Sequence, residues 1–429
     1  MGYKKINNRL FIRNRAKLVK LLKPRSLAVI HSNDKFPRNG DQFFPFRQNS
    51  DMFYLTGLDR SKCILCLCPD FPDKKLREVV FTVRPDEKKE IWSGCFSKED
   101  VTATSGIKTV KWLDNFETIL RELLLFSDNL FLNDNEYPRF ATEIAGRDRR
   151  FALKLKEEYP LHHFERLAPL LTQLRMIKEP EEIRLLKRAS DITGKAFDRV
   201  VRAVRPGMKE YEAAAEIMYV FLKNGASGHA YAPIVASGEN TCILHYTGND
   251  TTCKDGDLLL LDFGAEFMNY AADCSRTIPV NGRFTKRQRE CYDAVLRVFR
   301  QAINMLVPGI TVSRLNNKVD KLMENEMIKL GLFTTEDVKN QDPEKPMCRK
   351  YYMHGTSHFI GLDVHDPGTK YEKLRKGMVV TCEPGIYIKD EGIGIRIENS
   401  ILVDKKPVDL MHKIPMDADE IERLMKKNR

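Results

Sequence analysis

The amino-acid sequence predicts an α/β domain over residues 1–175 followed by an α+β domain over residues 176–429. Three observations carry this. Short apolar runs of strand length alternate with helical spacing up to about residue 172. A Pro set among acids at 178–182 marks a helix start of the kind that opens a new domain. Beyond it, amphipathic helices alternate with strand hairpins. A chain of 429 residues also exceeds the usual single core.

In the first part, residues 27–31, 63–68 and 79–83 read as strands, and residues 115–126 and 139–157 as helices. The boundary falls at 172–178. Lys178-Glu179-Pro180-Glu181-Glu182 then places Pro at the first helical turn and carboxylates against the positive end of the helix dipole. That helix continues through Ile183, Leu186, Ala189 and Ile192, and a second runs from Tyr211 towards Lys223 until Gly225 ends it. Residues 258–267 and 271–280 form two strands about a turn at Met268 and Asn269. A third helix follows Thr285, with Val295, Val298 and Ile303 on one face, and reaches Pro308-Gly309. Residues 332–350 read as a polar surface loop.

Composition excludes several classes of function. The 42% hydrophobic and 31% charged content is that of a soluble globular protein, no stretch approaches a membrane-spanning length, and the N-terminus has no apolar run behind its basic residues. A cytoplasmic location without membrane attachment is expected. The net charge of +11 comes from Lys and Arg scattered along the whole chain, without a nucleic-acid-binding motif, so a solvated basic surface is predicted rather than a specific nucleic-acid partner. The ten cysteines are dispersed and read as thiols. Cys63 and Cys66 have C-x-x-C spacing, but no second ligand pair lies nearby, and with Cys68 they read as small apolar residues of a buried strand.

Metal-type ligands stand in mostly apolar surroundings in the second part: Asp262 in LLLLDFG, Asp273 in AADCS, His358 in HGTSHFIG, Glu383 in TCEPG and Glu398 in RIENS. In an antiparallel pair folded about Met268 and Asn269, Asp262 and Asp273 fall opposite or nearly opposite each other, with Cβ atoms roughly 4.5–5.5 Å apart. Two such charges repel, and burial raises the cost. A pair of divalent ions removes both objections. Glu383 ends an apolar run before Pro384-Gly385, and Arg396 and Glu398, two apart, share one face of a strand. Oxygen-rich coordination with a single imidazole favours Mn²⁺, with Co²⁺ or Zn²⁺ able to substitute.

The order Asp, Asp, His, Glu, Glu, together with HGTSHFIGLDVHD, EPGIY and RIEN, resembles the metallopeptidases of the pita-bread fold, and most of all their Xaa-Pro-cleaving branch. FRQNSDMFYLTGLD resembles the leading domain of aminopeptidase P and prolidase. The resemblance implies a pseudo-twofold catalytic domain in which a curved antiparallel sheet is covered by helices. It implies that Asp262 holds one metal, His358 and Glu383 the other, and that Asp273 and Glu398 bridge them. A hydroxide between the metals would attack the carbonyl before proline, with Glu383 as general base. His245, His354 and His365 match active-site histidines of that branch, His245 and His365 lying beside the scissile bond. Tyr387 and Arg396 match a polar network around the leaving group, and Arg396 is also carried as a substrate contact. Trp92 resembles a tryptophan that approaches a neighbouring subunit's active site, which implies a homodimer or homotetramer. The expected activity is release of an N-terminal residue that precedes proline in a peptide. The alternatives are a prolidase restricted to Xaa-Pro dipeptides and, from another class, a non-catalytic peptide- or protein-binding protein of the same fold.

Overall fold

The structure, a computed structural model, describes residues 6–85, 91, 96–138, 140 and 142–426. The chain divides into two compact units, Met1–Arg175 and Met176–Arg429.

The first unit is built on a six-stranded mixed sheet in the order Thr109–Trp112, Glu78–Thr82, Ile64–Leu67, Ser26–His31, Asn129–Leu132, His163–Arg166. Ser26–His31 lies inside the sheet, antiparallel to Ile64–Leu67 and parallel to Asn129–Leu132, and all six of its residues are buried. That explains its unbroken apolar run. Cys63, Cys66 and Cys68 are free and buried in the same sheet region, as the sequence suggested. The helix Phe116–Phe126 packs Leu120, Leu123 and Leu124 onto the core. The helix expected from residue 139 begins instead at Arg147, because Gly146 takes an extended backbone just before it. Residues 139 and 141 lie outside the described ones. Asp148, in the first turn, is buried against His31 and fixes where this helix docks.

In the second unit the helix Pro180–Ala203 starts where the Pro and acidic residues indicate, with Glu182 Oε2 accepting the Glu179 N–H at 2.9 Å. Its face of Leu186, Ala189, Ile192, Ala196, Phe197 and Val200 is buried. Glu210–Lys223 follows, then Lys286–Ile303, capped by Thr285 and ending before Pro308. A further helix, Val312–Lys329, is capped by Thr311 and buries Leu315, Val319, Met323 and Met327. Residues 332–350 are not a plain loop: they hold a short helix, Thr335–Lys339, and a 3-10 turn, Met347–Lys350, with Phe333 and Cys348 buried. Scattered apolar residues anchor this otherwise polar stretch to the core. Among the described residues, no helix is long and apolar enough to cross a membrane.

The strands carry the polar centre. Leu258–Phe263 lies between Ile234–Ser237 and Cys274–Pro279, antiparallel to both. Met268 and Asn269 have φ of 50° and 66° and turn the chain between Phe267 and Tyr270, as the two-residue hairpin requires. One register differs from expectation. Asp262 faces Ser275, so Asp273 lies diagonally, two residues along. The ladder is interrupted at Gly264, where a Cβ would sit 1.7 Å from the Ala272 carbonyl oxygen. Val379–Cys382 pairs with Asn399–Leu402, and Gly385–Ile388 with Ile393–Arg396, which brings Glu383 and Glu398 to the ends of neighbouring strands.

Candidate metal centre

Asp273, His358 and Glu398 each present a ligand atom, all within 4.8 Å of one another. His358 Nε2 is 3.3 Å from Asp273 Oδ2, 3.6 Å from Glu383 Oε1 and 4.0 Å from Glu398 Oε1. The other imidazole nitrogen, Nδ1, lies 3.0 Å from the Phe359 carbonyl oxygen. A carbonyl can only accept, so Nδ1 carries the hydrogen, and in the neutral ring Nε2 turns its lone pair towards the carboxylates. Thr381 Oγ1 accepts the His358 backbone N–H at 3.0 Å and donates to Glu383 Oε1 at 3.1 Å.

Asp262 joins through two bridges. The Tyr231 hydroxyl is shared between Asp262 Oδ1 and Asp273 Oδ1, donating at 2.6 Å to either. Arg396 donates from Nη2 to Asp262 Oδ2 at 2.6 Å, from Nη1 to the Tyr387 hydroxyl at 2.7 Å and from Nε to Ser275 Oγ at 2.9 Å. Ser275 in turn donates to Glu398 Oε2 at 2.7 Å. His354 Nδ1 donates to the Gly355 carbonyl at 2.8 Å, which leaves Nε2 to accept the Tyr387 O–H at 2.8 Å. Arg396, Tyr387 and His354 therefore form one directed chain of hydrogen bonds.

Electrostatics identify what the cluster lacks. Burial, then the charges of Asp273, Glu383 and Asp262, pushes Glu398 well above the usual carboxylate range. Burial raises Asp273 and takes Glu383 up to about 7. Burial opposes a charge on His358, but its hydrogen bond to Asp273 and the nearby carboxylates outweigh that and raise it to about 9. His354 moves the other way, to about 3, through burial and the charge of Arg396. Glu398 Oε1 is buried without a hydrogen-bond partner. An orphaned carboxylate oxygen beside an imidazole nitrogen and three more carboxyl groups, a set that takes up protons in place of a missing positive charge, fits divalent cations and little else.

The remaining sequence candidates separate. His365 packs against His358 with ring centroids 4.4 Å apart, at 79°. His245 is exposed in a turn after the 3-10 segment Gly238–Cys242. Trp92 lies outside the described residues. Tyr231, Ser275 and Thr381 were not anticipated. Ser275 and Thr381 each stand two residues from a ligand, and period-two alternation could have found them. Tyr231, in a segment far from every ligand, gives no such signal.

Residues 184–405 match the metallopeptidase family M24, and residues 11–131 match the aminopeptidase P N-terminal domain. The chain is 35% identical to the Xaa-Pro aminopeptidase of Escherichia coli (strain K12), over 98% of both proteins. It is 29% identical to Xaa-Pro aminopeptidase 3 of Homo sapiens, over 92% of this chain and 80% of that protein. Among solved structures, zinc-substituted E. coli aminopeptidase P in complex with product matches with a TM-score of 0.88 at 33% identity, covering 99% of this chain and 100% of that one. Pseudomonas aeruginosa aminopeptidase PepP matches with a TM-score of 0.89 at 31% identity, over 99% of each. The C-terminal unit thus has the pita-bread fold, and the chain belongs to metallopeptidase family M24, in the group that carries the aminopeptidase P N-terminal domain.

Proposed function

We propose that this chain is a metal-dependent Xaa-Pro aminopeptidase, hydrolysing the bond between the first residue of a peptide and a following proline. The observation that carries it is the convergence of Asp273, His358 and Glu398, with Glu398 Oε1 left unpartnered. Asp262 would hold one divalent ion, His358 and Glu383 the second, and Asp273 and Glu398 would serve both. Mn²⁺ suits this donor set, and Co²⁺ or Zn²⁺ can replace it. The ions supply Lewis acidity and water of lowered pKa.

The protein's own groups do the rest. Glu383 receives the Thr381 hydrogen bond on Oε1, so Oε2 is the atom that takes the proton from attacking water. His358 is held in one tautomer by the Phe359 carbonyl and keeps its lone pair pointed into the centre. Arg396 holds the Tyr387 hydroxyl, and Tyr387 donates to His354 Nε2, a chain suited to proton movement towards the departing proline nitrogen. His365 and His245 contact the substrate around the scissile bond. A proline amide has no N–H, so the site accepts a ring rather than reading a donor. A homodimer or homotetramer in the cytoplasm completes this reading.

The test is to incubate the purified protein with Mn²⁺ and compare products from Xaa-Pro-Yaa peptides, Xaa-Pro dipeptides and Xaa-Ala controls. Release of the first residue from Xaa-Pro-Yaa is expected. Cleavage of dipeptides alone would replace this reading with a prolidase. No cleavage, with metal bound, would make the protein a binding module.

A further inference from the structure

A second ionic group, fully buried, adjoins the segment that carries His358 and His365. Lys178 Nζ is 3.0 Å from Asp366 Oδ2, and each side chain is only 1% exposed. A pair withdrawn from water this fully adds little to stability over well-packed apolar residues, because the Coulomb gain is offset by lost hydration. Its geometry gives it another task. The Asp366 N–H donates to the Phe359 carbonyl at 2.9 Å, and Asp366 Oδ1 accepts the Asp363 N–H at 3.2 Å. Asp366 thereby closes a loop whose first bonded residue follows His358 and whose last follows His365.

Lys178 is fixed independently, its N–H bonded to the Gly377 carbonyl at 2.9 Å. The ion pair presses into the middle of the loop: a Cβ on Gly361 would meet Asp366 Oδ2 at 2.5 Å and Lys178 Cε at 3.0 Å. A larger residue here would have to displace the pair. The Gly361 carbonyl also accepts the Ala271 N–H at 2.9 Å, which ties the loop to the hairpin two residues before Asp273. The backbone of His365 is thus set by its neighbour Asp366, and its ring meets His358 edge to face.

We propose that Lys178 and Asp366 are positioning residues that hold the His365 imidazole at the catalytic centre. This rests on the reading of His365 as a substrate-facing group of an Xaa-Pro aminopeptidase. The ammonium anchors the carboxylate, the carboxylate closes the loop, and the loop presents the ring. Neither residue touches substrate.

The test is a double-mutant cycle on the Mn²⁺-loaded protein with an Xaa-Pro-Yaa peptide. The paired replacement Lys178→Met with Asp366→Leu removes both charges of the pair, while the neighbouring buried Glu182 keeps its hydrogen bonds from the Glu179 N–H and the Tyr270 hydroxyl. Its kcat/KM is expected to fall at least tenfold with bound metal unchanged. In a His365→Ala background the same replacement is expected to change kcat/KM by less than twofold, because the group it positions is gone. Losses that multiply in the two backgrounds, or a folded, metal-loaded pair variant within twofold of the parent, overturn the proposal. If the pair variant does not fold, Lys178→Gln with Asp366→Asn, which stays closer to the side-chain shapes and also removes both charges, is carried through the same cycle with the same criteria. An inactive parent protein instead removes the aminopeptidase reading, so the two failures are distinguishable.

Discussion

Each unit sets a histidine against carboxylate, and the two clusters are built in opposite ways. In the N-terminal unit Asp148 Oδ1 takes the His31 backbone N–H at 2.9 Å and the ring Nδ1 at 2.8 Å, while Oδ2 takes Asn133 Nδ2 at 3.2 Å and Asn49 Nδ2 at 3.4 Å. Both oxygens are supplied by nitrogen donors. In the C-terminal unit His358 faces several carboxylates at once, and Glu398 Oε1 has no donor at all. A buried carboxylate whose two oxygens are both supplied fixes one structure; a set of carboxylates short of positive charge marks where a ligand must bring it. The first docks a helix, and the second is the candidate metal centre.

The comparison is broken most severely at Glu383. Glu383→Gln is expected to lower kcat by about 10²–10⁴-fold while leaving the unfolding midpoint of the chelated protein nearly unchanged, since it removes a proton acceptor and a metal-holding oxygen but not a packing group. Peptide hydrolysis beside thermal melts measures both, and a near-normal kcat would remove Glu383 from its role. Asp148→Ala should do the reverse. It leaves buried N–H donors without an acceptor and is expected to cost about 3 kcal/mol of stability, with kcat per folded molecule unchanged. Urea unfolding of the variant checks this; lost turnover without lost stability contradicts the contrast.

A smaller effect is expected at Tyr231. Its hydroxyl bonds both Asp262 and Asp273, and Tyr231→Phe leaves those carboxylates without it. Outer groups of this kind orient ligands, so metal affinity should fall by about 10–100-fold with the fold intact. Metal titration of the variant decides it, and parental affinity would reduce Tyr231 to packing.

Tyr231 also marks the limit of what the sequence discloses. The five candidate ligands could be read as four carboxylates and one imidazole standing in mostly apolar surroundings, and Glu383 and Glu398 do stand at strand ends because such runs are strands where Pro, Gly or a turn bounds them. The Met268-Asn269 turn was legible for a similar local reason. The Asp262–Ser275 register was not, because the break at Gly264 arises from the close approach of Ala272, a contact between strands. Nor was Arg276, fully buried and donating to the carbonyls of Ser275, Glu398, Ile414 and Pro415: a lone Arg in a strand looks solvent-facing until the chain that receives it is placed. Local periodicity reports which residues leave the solvent. Partners distant in sequence are fixed only by packing.

The gentlest way to sharpen the contrast is pH. In the metal-free protein Glu383 is raised from 4.5 to about 7, so between those values the folded chain holds a proton that the unfolded chain has released. Stability therefore falls as pH rises through that window. His358 is raised from 6.5 to about 9; the stability it contributes is fully present below pH 6.5 and is lost as pH rises towards 9. The two effects have the same sign and adjoining windows, at most about 1.4 kcal/mol per group per pH unit. Divalent ions invert the slope: coordination needs Glu383 ionised and His358 Nε2 unprotonated, so the ions bind more tightly as pH rises. The chelated protein should melt at progressively lower temperature from pH 5 to 9, while the gain from added Mn²⁺ grows over the same range. Parallel melting curves with and without metal would show that these carboxyl groups do not need a cation, and the distinction between the two buried clusters would be lost.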